Sequence, residues 1–152
     1  MSQLMHQLIM SELTDLAQRI SENIRKSGQW ASGETARKLR VRKEGEVYTL
    51  YGRDSFESLE IGYRGHVSPR TIFNWSISKG LSFNDERERL SFSFRTAKKI
   101  AKEGTVLYRT GKTYGGQVPD VYSSEIRQTI ENLYKKMGAE VYRQIETITL
   151  NF

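Results

Sequence analysis

Three carboxylates fall close together on one short stretch of this chain: Asp54, Glu57 and Glu60. Spaced three apart they would share a helix face, where such a set can hold a divalent cation for phosphodiester cleavage. A simpler use competes. Asp54 followed by Glu57 is an Asp-x-x-Glu variant of the helix capping box, which would commit two of the three to backbone hydrogen bonds. The two histidines, His6 and His66, lie in separate elements, neither with a partner at metal-ligand spacing. Gly111-Lys112-Thr113 ends like a phosphate-binding loop, but Val106 stands where its first glycine is required. No Gly-x-Ser-x-Gly elbow occurs, and the chain contains no cysteine, which excludes thiolate nucleophiles, disulfides and cysteine-based zinc sites. The expectation is a protein that is not an enzyme, with no catalytic residue, no metal ligand and no cofactor.

The cations point to association. The formal net charge is +6 over 152 residues, and it is concentrated in two segments. Arg25, Lys26, Arg37, Lys38, Arg40, Arg42 and Lys43 face only Glu34 in the first. Arg95, Lys98, Lys99, Lys102, Arg109 and Lys112 face only Glu103 in the second. Such segments fit a polyanion, an acidic partner surface or a pair of solvated faces. Arg37, Arg40, Arg42, Lys98, Lys99 and Lys102 are therefore candidates for contact with DNA in a channel or with an acidic neighbour. Tyr108, Arg109, Lys112 and Tyr114 interleave aromatics with cations, a pattern that stacks bases, neutralises phosphates or forms an assembly interface. No helix-turn-helix or RNA-binding aromatic signature accompanies them.

These residues need elements to hold them. Leu4, Leu8, Ile9, Leu13, Leu16, Ala17, Ile20 and Ile24 form one apolar stripe, which predicts a long helix over residues 1–27 that stops at Gly28. Leu39–Arg42 and Val47–Tyr51 alternate around Lys43-Glu44-Gly45-Glu46, predicting a β-hairpin with Arg40 and Arg42 outward. A short helix capped by Asp54 follows, with Phe56 and Leu59 inward. Another begins at Ser68-Pro69 and carries Ile72, Phe73, Trp75 and Ile77, with Trp75 read as a core aromatic. Leu90, Phe94, Ala97, Ile100 and Ala101 mark the next helical stripe, closed by Gly104. Thr105–Pro119 is glycine-rich and lacks a helical period, so it reads as a mobile assembly loop. A long C-terminal helix is predicted from Asp120. Ile148, Leu150 and Phe152 alternate, as for a last strand on the hairpin. The whole is expected to be a single α+β domain over 1–152, helices packed on a small antiparallel sheet. The N-terminus lacks the features of a secretory signal, and no stretch reaches the length of a membrane span; folding in cytoplasm is expected, with no membrane partner.

From about Ile20 to Met137 the chain resembles the tail-completion (neck, head–tail joining) proteins of tailed bacteriophages. A helix leads through a Ser-Gly loop to a strand in ISENIRKSGQWASGETARKLRV. Gly52, Phe56, Leu59-Glu60-Ile61-Gly62, Trp75 and Lys79-Gly80 follow in the family's order. Ala97, Ala101 and Glu103-Gly104-Thr105 then match its Ala-rich helix and Glu-Gly-Thr ending. Gly52, Leu59, Glu60, Gly62, Trp75, Gly80 and Gly104 are the markers of that fold. One departure is the stretch before the tryptophan helix, where only Gly65 and Pro69 remain of a Gly/Pro-rich segment.

The resemblance implies a structural virion protein that needs no cofactor. It implies a homo-oligomeric ring of six or twelve copies in the neck, seated below the portal and its adaptor (connector) and receiving the tail. Its partners would be itself, the portal-adaptor protein and a tail-terminator or tail-tube protein, with non-specific contact to packaged DNA. Assembly would occur in the host bacterial cytoplasm. Two alternatives stand beside it: a tail-terminator protein capping the tail tube, and a basic non-specific nucleic-acid-binding module.

Overall fold

The computed structural model describes residues 3–29, 31–54 and 56–149, with side chains as far as residue 140. In chain order the elements are α1 (Gln3–Lys26), α2 (Glu34–Arg37), β1 (Arg40–Glu44), β2 (Val47–Tyr51), α3 (Ser58–Ile61), α4 (Pro69–Ser78), α5 (Glu86–Glu103), α6 (Val106–Thr110) and α7 (Ser123–Thr149). This is an α+β arrangement with a two-stranded antiparallel sheet.

The two long helices run antiparallel and form the spine. Arg19 donates to Glu125 at 2.7 Å and to Thr129 at 2.7 Å, while Asn23 donates to the Val121 carbonyl at 3.2 Å. Farther along, Lys136 pairs with the buried Glu12. Leu16, Ile20 and Ile24 of α1 meet Ala36 and Val121 in the buried core, joined by Leu39, Leu50, Phe56, Leu59 and Tyr122. From Ile9 to Ile24 the apolar stripe read from the sequence is thus the face that packs, while Leu4 at its start is exposed.

In the hairpin, Val41 pairs with Leu50 and Arg42 with Thr49, so Arg40, Arg42, Thr49 and Tyr51 share the outer face, as expected. Gly45 takes φ 61° in the connection. The inner face meets α1, where Nδ1 of His6 lies 2.9 Å from the Tyr48 hydroxyl.

Helices α4 and α5 form a hairpin of their own. Ser68 caps α4 by accepting from Thr71 N, with Pro69 in the first turn. The far end closes as a Schellman motif: Leu81 N donates to Ser76 O, Gly80 N to Ile77 O, and Gly80 has φ 68°. Between the helices, Arg89 lays its guanidinium over Phe83 (4.9 Å) and Phe73 (5.8 Å) and donates to Ser76 Oγ and Leu81 O. Small side chains, Ser76, Ser93 and Ala97, fill the rest of the contact and let the two backbones approach.

Several expectations are corrected. Asp54 and Glu57 form no capping box: α3 starts only at Ser58, and Glu57 has helical φ and ψ and no capping bond. A variant of the box lies instead at α5, where Asp85 Oδ1 accepts from Glu88 N and Glu88 Oε2 reaches past the cap to accept from Asn84 N. Trp75 is not a core residue; it is 40% exposed. The Leu90–Phe94 stripe faces outward, because the serine-lined side of α5 is the one packed on α4. Thr105–Pro119 is not one loop, since its first part is α6. The last helix starts at Ser123, three residues after Asp120, and continues through Ile148, so no strand forms there; Leu150 and Phe152 lie outside the described residues. The predicted start of the first helix at Met1 and Ser2 also lies outside them.

Candidate functional site

Two of the marker segments meet at the junction between α3 and α6. Gly62 and Gly104 have φ/ψ of 74°/−170° and 85°/173°, a region open essentially to glycine alone. Both backbones press on Tyr108. A Cβ at Gly62 would overlap Tyr108 N, and one at Gly104 would stand 2.6 Å from Tyr108 Cδ1. Thr105 ties the two strands of chain together: its N–H donates to Tyr63 O at 2.8 Å, and its hydroxyl accepts from Tyr63 N at 3.1 Å and Tyr108 N at 3.3 Å. The Leu-Glu-x-Gly and Glu-Gly-Thr motifs, more than forty residues apart in the chain, are therefore two halves of one junction.

Glu60 extends that junction to α7. Its Oε1 accepts from the backbone N–H groups of Val121, Tyr122 and Ser123 at 2.8, 2.7 and 2.9 Å, and Oε2 accepts from Ser123 Oγ. A carboxylate at a helix N-terminus satisfies donors with no partner inside the helix and complements the helix dipole. Glu60 is thus committed to architecture. Among the described residues no group of three His, Cys, Asp or Glu side chains could hold a metal ion.

Beside the junction, α4, α5 and α6 enclose a groove of about 740 Å³. Ile72, Trp75, Phe92, Ile100 and Val106 form its apolar floor and walls, and Tyr63 and Tyr114 stand at its edge. Lys99 and Arg109 supply its cations. Arg109 is also 3.6 Å from Glu103. The groove gathers expected residues from three segments: Trp75, Lys99, Gly104, Arg109 and Tyr114. Tyr114 is 91% exposed at the tip beyond α6, where Thr113 N donates to Gln117 O at 2.8 Å to form a tight turn. Lys112 is exposed between α6 and that turn, and Tyr108 is wedged against the glycines.

The remaining candidates lie elsewhere. Lys98 and Lys102 are exposed on α5 with Lys99. Arg37 ends α2, and Arg40 and Arg42 lie on the outer hairpin face, where Arg42 sits 5.7 Å over the Tyr51 ring. Gly52 leaves room for Phe56, whose ring would lie 3.3 Å from a Cβ there. Leu59 flanks the core, and its carbonyl accepts from Gln29 at 2.7 Å. Sequence reasoning missed Tyr63, Phe92 and Val106 as groove residues, and Arg89 as the clamp of the α4–α5 pair. Only Arg89 had a local signal, as one of two cations, with Arg87, between Phe83 and Phe92.

Charge shifts follow the architecture. Burial raises the Tyr122 hydroxyl above its ordinary 10.0, and the nearby Glu60 and Glu57 carboxylates add to this. Hydrogen bonds from the Ser124 backbone and hydroxyl hold Asp120 below its ordinary value. No described helix is long and apolar enough to cross a membrane. Comparisons with family models, with curated proteins and with solved structures give no match.

Proposed function

We propose that this chain is a structural subunit of the neck of a tailed bacteriophage, forming a ring that joins the portal and adaptor of the filled head to the tail. The observation that carries the reading is the meeting of Gly62, Gly104 and Thr105 around Tyr108, with Glu60, two residues before Gly62, tying the same segment to the start of α7. Two motifs on which the resemblance rests, Leu-Glu-x-Gly and Glu-Gly-Thr, are in physical contact, so the spacing between them is linked by packing. Two further features support an assembly role. The α4–α5–α6 groove is apolar with a cationic edge, the composition of a protein-docking surface. Tyr114 projects beside it with large area and few rotatable bonds.

The decisive experiment is electron microscopy of the purified protein and of particles carrying a tagged copy. Rings, and density between head and tail that carries the tag, are the expected result. Tag density at the far end of the tail, or none on particles, overturns the reading. Density on the tail tube below the adaptor ring would assign the chain as a tail terminator.

Non-specific nucleic-acid binding has its own observation. Arg40, Arg42 and Tyr51 share one exposed sheet face, with a cation already stacked on an aromatic ring. Within a neck, that face would line the channel through which DNA passes.

A further inference from the structure

Among the described residues, two apolar surfaces apart from the α4–α5–α6 groove bear opposite charges. The first is the outward face of α5. Arg87, Leu90, Phe94 and Lys98 recur at three- and four-residue spacing, so they share one side of the helix. Leu90 is 46% and Phe94 58% exposed, and neither Arg87 nor Lys98 forms an ion pair among the described residues. The second is a groove of about 430 Å³ between α1, the hairpin, the segment leading into α3, and α7. Leu13, Leu39, Ile130 and Leu133 line it, and Asp54 and Glu57 stand at its rim. Neither carboxylate is in an ion pair among the described residues; the rim cation Arg53 is turned to Glu34, 3.5 Å away.

We infer that the Leu90–Phe94 face of α5 seats in the α1–hairpin–α7 groove of a second copy of this chain, joining copies head to tail. The inference rests on the ring reading above and names the surfaces that close the ring. Charge decides the pairing. Two α5 faces stacked on each other would oppose Arg87 and Lys98 to like charges, and two grooves face to face would do the same with Asp54 and Glu57. Arm into groove matches apolar to apolar and cation to carboxylate in one arrangement, as an amphipathic helix does in a groove. The arm and the groove belong to different parts of one chain, so each copy offers one of each. Such a heterologous contact adds copies in one direction until rotation closes a ring.

Sedimentation velocity tests this with Phe94→Asp on the arm and Ile130→Asp on the groove. Both positions are exposed in the single chain, and circular dichroism verifies folding. The wild type is expected to sediment as a closed oligomer and each variant alone as a single chain. An equimolar mixture of the two retains one intact arm and one intact groove, so it stops at two chains. Lys98→Glu weakens assembly at least tenfold, and mixing with a Glu57→Lys chain restores the contact between them. If both single variants assemble like wild type, the inference is overturned while the ring reading stands. A wild-type chain that stays single at every concentration and salt also overturns it, and tagged particles then decide the neck reading independently. If the mixture forms no two-chain species, the contact is not head to tail and the inference fails.

Discussion

At the scale of residues, the markers act through backbone. Gly62→Ala must place a methyl group on the Tyr108 backbone nitrogen in a φ/ψ region that side chains avoid. The expected loss is about 2–4 kcal/mol in urea unfolding, larger than for Gly28→Ala, where nothing lies within 4 Å of the new carbon although φ is also positive. Glu60→Ala strands three backbone donors at the start of α7 and is expected to cost about 2–3 kcal/mol, with Glu60→Gln losing less. Equal stability of Glu60→Ala and wild type would show that the donors find water instead.

Tyr122 sets a pH dependence. Its folded pKa is raised above 10.0, so the neutral phenol favours the folded chain. That stabilisation is fully present below pH 10 and disappears as pH rises through the folded pKa. Tyr122→Phe keeps the ring contact with Phe56 and removes the ionisation. Thermal unfolding above pH 10 should therefore fall off less steeply in the variant than in wild type. Parallel curves would assign the alkaline loss to other groups.

At the scale of elements, the α4–α5 pair is held by a polar clamp where larger apolar side chains would be the common choice. Arg89→Ala removes two hydrogen bonds and two ring contacts at once. About 2 kcal/mol of local stability should go with them. Hydrogen exchange is expected to quicken in α4 and α5 while the α1–α7 spine keeps its protection; uniform quickening would mean that the pair unfolds only with the whole chain. The segment after α6 behaves in the opposite way. Tyr114 and Val118 are exposed there. Replacing residues 112–118 with a Gly-Ser linker should leave thermal stability unchanged while preventing head–tail joining. Normal joining by the shortened chain would reduce this turn to a connector.

At the scale of the whole molecule, which has a net charge of +6, the hairpin cations Arg40 and Arg42 and the α5 cations Lys98, Lys99 and Lys102 lie on different elements. If the hairpin face meets DNA, binding to a random duplex should weaken steeply with salt, and Arg40→Ser with Arg42→Ser should reduce the log–log slope by about two. An unchanged slope would move the contact to α5.

The sequence alone determined the parts whose signal is local. The stripe of α1, the alternation of the hairpin, Ser68-Pro69 at α4 and Gly80 at its end are each written within one turn or one pair of strands, where backbone geometry decides. The marker motifs were legible too, but not their use, because Glu60 reaches across more than sixty residues to α7 and Gly62 matters only against Tyr108. Composition could not say which side of α5 turns inward. Leu90 and Phe94 are the more apolar choice, yet close approach to α4 around Arg89 favours Ser93 and Ala97, which are small. Nor could periodicity find α6, since five residues are too few to show a helical repeat. Only tertiary structure brings Trp75, Lys99, Arg109 and Tyr114 around one groove, because the contacts that place them are long-range and carry no trace in any single segment.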